Sequence, residues 1–185
     1  MGMWIGIAVA VVAVLFVIGL YNRLVGLKKQ CDNAWAQIDV QLKRRSDLIP
    51  NLVETVKGYA GHESSVLQAV TEARAGAAAV QKGDTAGRIA AENRLDGALK
   101  GLMVQIEAYP QLKANENFLR LQEELSSTEN RISFARQHYN DTATGYNTAI
   151  ALFPANVVAG FFRFADVTLW QIEDPADRKA PEVRF

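Results

Sequence analysis

Apolar and polar positions follow two regimes along this chain. From Met3 to Leu20 almost every residue is apolar, and no charge occurs between Met1 and Asn22. A helix needs roughly 20 such residues to cross the hydrocarbon core of a bilayer. Trp4 and Tyr21 stand at the two ends, where amphipathic rings prefer the interface. The run is apolar on all sides, so it has no polar face to offer a soluble bundle. It also lacks the basic stretch before it and the small-residue cleavage site after it that mark a secretory leader. Residues 1–22 are therefore predicted to be an uncleaved transmembrane anchor. Gly2, Gly6 and Ala10 place small residues four apart, a spacing that lets spans approach closely. Only the chain amine precedes the span, whereas Arg23, Lys28 and Lys29 follow it. The positive-inside tendency then puts the N-terminus outside and the rest of the chain in the cytoplasm.

Beyond the anchor the spacing changes to alternating steps of three and four. Leu24, Leu27, Cys31, Ala34, Ile38 and Leu42 begin the series, and Ile49, Leu52, Val56 and Tyr59 resume it. Pro50 interrupts it. A mid-helix proline removes the bond to residue 46, so a kink or a fresh start is predicted near 46–50, capped by Ser46 or Asp47. Gly58 and Gly61 mark the end. A second helix, 62–81, has Val66, Val70, Ala73, Ala77 and Val80 on its face. The turn Lys82–Thr85 leads to a third, 84–109, with Asp84 or Thr85 as cap and Leu95, Leu99, Leu102, Ile106 and Tyr109 inward. Asp96-Gly97 lies inside this pattern and reads as helix, not hairpin turn. The fourth helix, 113–153, is the most regular: Phe118, Leu121, Leu125, Thr128, Ile132, Ala135, Tyr139, Thr142, Tyr146, Ala149 and Phe153 sustain the alternation for about five heptads. Pro154 ends it.

The fold class predicted is all-α: an N-terminal transmembrane helix followed by an elongated antiparallel four-helix bundle, 23–153, with left-handed coiled-coil-like packing. Helices 23–60 and 113–153 are long and the other two about half that length. The pattern leaves open whether the short pair lies side by side or end to end.

Polar residues inside the seam need partners. If the first helix leaves the membrane at Arg23 and the fourth returns near Ile150, facing residue numbers total about 173 in an antiparallel pair. Arg44 then faces Glu129, and Asn33 faces Asn140. An ion pair of Arg44 or Arg45 with Glu129 is predicted within one helical turn, read first as a register-fixing contact and second as a ligand or switch site. Arg136, Asn140 and Asn147 extend this polar line. Tyr139-Asn140 and Tyr146-Asn147 repeat seven apart, and hydroxyl and amide bonds across helices would account for them.

Composition narrows the chemistry. Lys and Arg number 20 and so do Asp and Glu. A neutral chain lacks the basic excess expected of a nucleic-acid binder. With the one cysteine, Cys31, an internal disulfide and a cysteine-based zinc site are excluded, and its place on the apolar stripe predicts a buried thiol. His62 and His138 fit neither His-Glu-x-x-His nor the Glu-x-x-His of di-iron bundles. Phosphate-cradling and nucleophile-elbow motifs are missing too. Glu123 and Glu124 fall on an outer face. No catalytic residue, cofactor or metal site is assigned, and the chain is read as no enzyme.

After Pro154 an amphipathic stretch, 154–172, places Val157, Val158, Phe161, Phe162 and Ala165 on one face. The membrane interface with Arg163 snorkelling, a neighbouring protomer, and the chain's own bundle all fit it. Residues 173–185 read as an extended tail.

The segment Asp39–Glu63, with Leu48-Ile49-Pro50-Asn51 at its centre, resembles the LemA family. So do Tyr21-Asn22, Tyr109-Pro110, Ala135-Arg136, Tyr139-Asn140, Tyr146-Asn147, Phe153-Pro154 and the closing Pro181–Phe185. The resemblance covers nearly the whole chain. It implies a bacterial protein of the inner (cytoplasmic) membrane with one span and a helical bundle, and supplies no catalytic residues. Some members are associated with membrane invagination, and others are encoded beside membrane metalloproteases. The reading that results is a membrane-anchored scaffold in contact with lipid that forms a homo-oligomer and remodels membrane. The alternative is an adaptor for a membrane metalloprotease or another integral protein.

Overall fold

The computed structural model describes residues 1–60 and 65–171. Its elements are helices α1 (Gly2–Ala60), α2 (Ser65–Ala79), α3 (Thr85–Ile106), α4 (Pro110–Lys113), α5 (Glu116–Ala151) and α6 (Ala155–Phe161). No strand occurs among the described residues, and the fold is all-α. Gly61, His62 and the tail 173–185 lie outside the described residues.

The anchor and the first bundle helix are one continuous element, α1. The restart expected near residues 46–50 does not occur. Pro50 has no N–H to give the Ser46 carbonyl, and that carbonyl instead accepts from Arg74 Nε of α2 at 2.8 Å. A side chain thus replaces the missing helical bond. Pro50 itself is exposed, so its ring displaces no core residue.

The shorter helices end where local chemistry dictates. Asp84 caps α3 by accepting from the Gly87 N–H at 2.8 Å, a contact typically worth about 1 kcal/mol. A Cβ on Gly87 would meet the Asp84 carboxylate, so the tight cap requires glycine there. Gly83, with φ of 99°, makes the left-handed turn just before it. Pro110 opens α4 at its first position, where a missing N–H costs nothing. The last long helix begins at Glu116, three residues later than the pattern suggests, because Asn115 accepts from the Phe118 N–H at 3.0 Å. It ends at Ala151, so Phe153 lies beyond it and is exposed, not in the seam.

The chain divides into two compact units. One comprises Met1–Asp39 and Phe134–Leu169. Here α1 and α5 run antiparallel in the expected register. The Cys31 thiol donates to the Thr142 carbonyl at 3.6 Å. Trp35 meets Tyr139 edge-on at 5.2 Å between centroids, and Lys28 Nζ lies 5.6 Å from the Tyr146 ring centre. Near the span, Leu24, Val158 and Ala159 form a small core with Leu20, Ala149, Ile150 and Phe164 against it.

The other unit holds Val40–Ser133 together with Trp170 and Gln171. Its core draws on Ile49, Leu52 and Val56 of α1, Leu67 and Val70 of α2, Leu95, Leu102 and Ile106 of α3, Leu112 of α4, and Phe118 and Leu125 of α5. The two short helices α2 and α3 lie side by side. The Asn115 amide donates to the Tyr59 hydroxyl at 2.8 Å, tying the end of α1 to the start of α5.

If Arg74 substitutes for the bond that Pro50 removes, the two residues are energetically coupled. Arg74→Ala should cost about 1–2 kcal/mol in the native chain, because it strands the Ser46 carbonyl. In a Pro50→Ala background the new N–H supplies the bond and the cost should fall by at least half. Chemical unfolding of the four proteins in detergent micelles measures this, and equal costs in both backgrounds would rule the coupling out.

Candidate functional site: a buried charge cluster and a polar ladder

Arg45 is 1 % exposed, on the inner stripe of α1. Its guanidinium donates to Glu92 at 2.6 Å, to Glu129 at 2.9 Å, and to Asp96. The pair expected from antiparallel register is therefore made by Arg45. Arg44, its neighbour, is exposed and faces Glu124 at 3.9 Å. One residue is a turn of about 100° on a helix, enough to carry Arg44 from the seam to solvent. Glu92 is as deeply buried as Arg45 and also accepts from Arg88 at 2.7 Å. Burial opposes the charge on Arg45, but Asp96, Glu129 and Glu92 outweigh it and hold the guanidinium above its ordinary range. Three carboxylates thus meet two guanidinium groups, and Arg45 fills the position a cation would take between them.

Glu92 and Asp96 were not among the sequence candidates. The signal was present: they are four apart, and Glu92 lies in step with Ile89 and Leu95, both buried. A carboxylate in phase with an apolar stripe calls for a buried cation. Nothing in the sequence identified Arg45 as that cation, because pairing α1 with α3 is a tertiary event.

The polar ladder on α5 has a different use from the one expected. Tyr139, Tyr146 and Asn147 turn to the chain's own main chain. They bind the backbone that follows α6. The Tyr146 hydroxyl donates to the Ala165 carbonyl at 3.1 Å. Asn147 donates to the Val167 carbonyl at 2.9 Å and accepts from its N–H at 2.8 Å. The Tyr139 hydroxyl donates to the Thr168 carbonyl at 2.7 Å. Residues 164–171 have no helix or strand of their own, so these side chains supply main-chain partners that regular structure would otherwise provide. In the second unit Trp170 Nε1 donates to Asn93, and the Asn93 amide donates to the Gln171 carbonyl at 3.0 Å. Asn93 and Trp170 were also unforeseen. Asn33 is exposed, and Arg136 and Asn140 are half-buried.

Cys31 is buried, and burial pushes its thiol up. Burial pushes the Tyr139 hydroxyl up to about 12. His138, Glu123 and Glu124 are exposed. Among the described residues no group of His, Cys, Asp and Glu is placed to hold a metal ion.

The membrane and oligomer candidates separate. Gly2, Gly6 and Ala10 are exposed on the span. Val157, Phe161 and Phe162 are exposed as well, whereas Val158 is buried against Leu24 and is not available to lipid or to a partner. Val157 and Phe161, four apart, share the exposed side of α6, and Val158 and Ala159 pack inward.

The profile of the LemA family matches residues 34–185. The chain belongs to the LemA family. It is 27 % identical over 157 residues to Protein LemA of Metamycoplasma hominis, covering 85 % of this chain and 71 % of that protein. It is 24 % identical over 200 residues to Magnetosome protein MamQ 2 of Paramagnetospirillum magneticum, covering 91 % and 73 %. Magnetosome protein MamQ of Magnetospirillum gryphiswaldense is 24 % identical over 180 residues, covering 84 % and 66 %. The LemA match takes in the charge cluster, the ladder and the segment the ladder binds. With the apolar start of α1 it describes a membrane-associated protein.

Two predictions follow from this geometry for the LemA-family chain. Arg45→Met leaves three carboxylates without their central cation and should destabilise by about 3–5 kcal/mol. Glu129→Gln, at a half-exposed carboxylate, should cost under about 1 kcal/mol. Thermal unfolding would refute the arrangement if that order were reversed. The second concerns alkali. The folded Tyr139 holds its proton more tightly than the unfolded chain does, so its contribution is intact below pH 10 and is lost as pH rises toward 12. Tyr139→Phe should therefore remove on the order of 2 kcal/mol of the stability loss across that window. Parallel alkaline unfolding curves for the two proteins would contradict it.

Proposed function

We propose that this LemA-family chain is a non-enzymatic scaffold, anchored in a bacterial inner membrane by the apolar start of α1, that self-associates and organises or bends the membrane around it. One observation carries the reading. Within the first unit, α1 passes from its apolar run into the packed seam at Leu24, Cys31, Ala34 and Ile38 without a break. A domain on a flexible tether takes any angle to the bilayer, whereas a domain continuous with its span has its angle set by that helix. Copies with a set angle can repeat one contact, and repeated head-to-tail contacts that close produce rings. The small residues Gly2, Gly6 and Ala10, exposed on the span, suit close approach of neighbouring spans. The zero net charge favours a protein or lipid partner over nucleic acid.

The test is the mass of the full-length chain after gentle extraction. It is compared with a chain ending at Leu152 and with a full-length Gly6→Leu, Ala10→Leu variant, whose substitutions touch no packed residue. A defined oligomer that loses subunits in either variant is the expected result. A monomer in every case would overturn self-association and turn attention to an adaptor role, read as co-extraction with a membrane protease or another integral protein.

A further inference from the structure

We infer that α6 and the turn before it lie in the lipid headgroup layer beside the span, with Phe153, Val157 and Phe161 dipping into the acyl boundary of the same leaflet. These three residues stand four apart, and they are 81 %, 63 % and 78 % exposed. Leu152 beside them is exposed too. On the opposite side of α6, Val158 and Ala159 are buried against Leu24. The helix is thus fixed to the protein by one face and carries an aromatic and aliphatic edge on the other. Isolated exposed apolar residues need no explanation, but a group of large ones in so short a stretch does.

Its position relative to the span identifies the occupant. The apolar run Met3–Leu20 covers about 27 Å at 1.5 Å per residue, close to the hydrocarbon thickness of a bilayer. Tyr21 therefore falls at the hydrocarbon boundary, and Leu24 about 4–5 Å beyond it. The headgroup layer on each side is roughly 5–7 Å deep. Phe162 packs on Tyr21 at 4.7 Å between ring centroids, and Phe164 at 5.7 Å. These contacts, with Leu24 against Val158, hold α6 at the depth of that layer. Through Phe162 the exposed side of α6 is joined to Tyr21, at the end of the run whose residues 2–19 are all exposed. Lipid is the one environment that this placement guarantees.

Arg163 completes the arrangement. It follows α6 in the left-handed conformation, with φ of 57°, a position usually taken by glycine. The Phe164 N–H reaches back to the Ala159 carbonyl at 2.9 Å and closes the helix end. The turn directs the chain away from the lipid toward the ladder on α5, and leaves an exposed guanidinium at the headgroup level next to the aromatic edge, where Arg and aromatic side chains favour the interface.

The inference rests on membrane anchoring and not on self-association. To test it, a nitroxide is attached at Val157→Cys, at Phe161→Cys and, as a water-exposed control on α5, at Thr144→Cys, each in a full-length Cys31→Ala background. The proteins are reconstituted in phosphatidylcholine–phosphatidylglycerol vesicles, and collision with oxygen, which concentrates in lipid, is compared with collision with a water-soluble nickel chelate. The oxygen-to-nickel ratio at 157 and 161 should exceed that at 144 several-fold. A ratio equal to that at 144 would place α6 in water and overturn the inference. Shielding from both reagents would assign the edge to a second copy or another protein and overturn it equally. A monomeric chain with lipid-exposed labels would retain this inference while removing the scaffold reading, so the two fail separately.

Discussion

The packing of the second unit depends on where one guanidinium is buried. Arg45 sits at full burial among apolar residues, and its charge is tolerable only because Glu92, Asp96 and Glu129 converge on it. Apolar seams are permissive, since a slip by one heptad still meets Leu with Leu. A buried charge is not permissive: a slip would leave Arg45 facing aliphatic side chains and take it from all three carboxylates. The cluster therefore fixes the register of α1, α3 and α5 together. Arg88, four residues before Glu92 on α3, holds the other oxygen of that carboxylate.

A related economy governs the backbone. Pro50 removes a helical bond, and Arg74 from α2 returns one to the same carbonyl. Residues 164–171 form no regular element, and Tyr139, Tyr146 and Asn147 supply their hydrogen bonds. In both places a polar side chain does for the main chain what secondary structure does elsewhere. The result is that α1 continues through a proline and that the chain after α6 has a defined course on α5. The continuity of α1 is what gives the membrane end of the molecule its geometry. In the same unit Tyr21 and Leu24 hold α6 and the residues after it, through Phe162, Phe164 and Val158.

The sequence by itself determined the elements and their burial faces, because helical periodicity is a local property. The steps of three and four identified Leu24, Cys31, Ala34, Ile38, Leu42, Ile49, Leu52 and Val56, which are buried, whereas Leu27 of the same series is half-buried and Tyr59 exposed. The apolar run Met3–Leu20 identified the candidate span, and the family motifs identified the LemA membership. The antiparallel register also followed from two local facts, where α1 leaves the span and where α5 returns, and it brought Arg45 to Glu129. What only the tertiary structure decided is which distant groups complete each polar demand. Glu92 and Asp96 reach Arg45 through the packing of α3, Arg74 reaches Ser46 through the packing of α2, and the tyrosine–asparagine ladder serves a segment with no periodicity to announce it. Those partners lie from 19 to 51 residues away in sequence, and hydrogen bonds and ion pairs, unlike apolar stripes, leave no repeat by which the chain alone can show where they close.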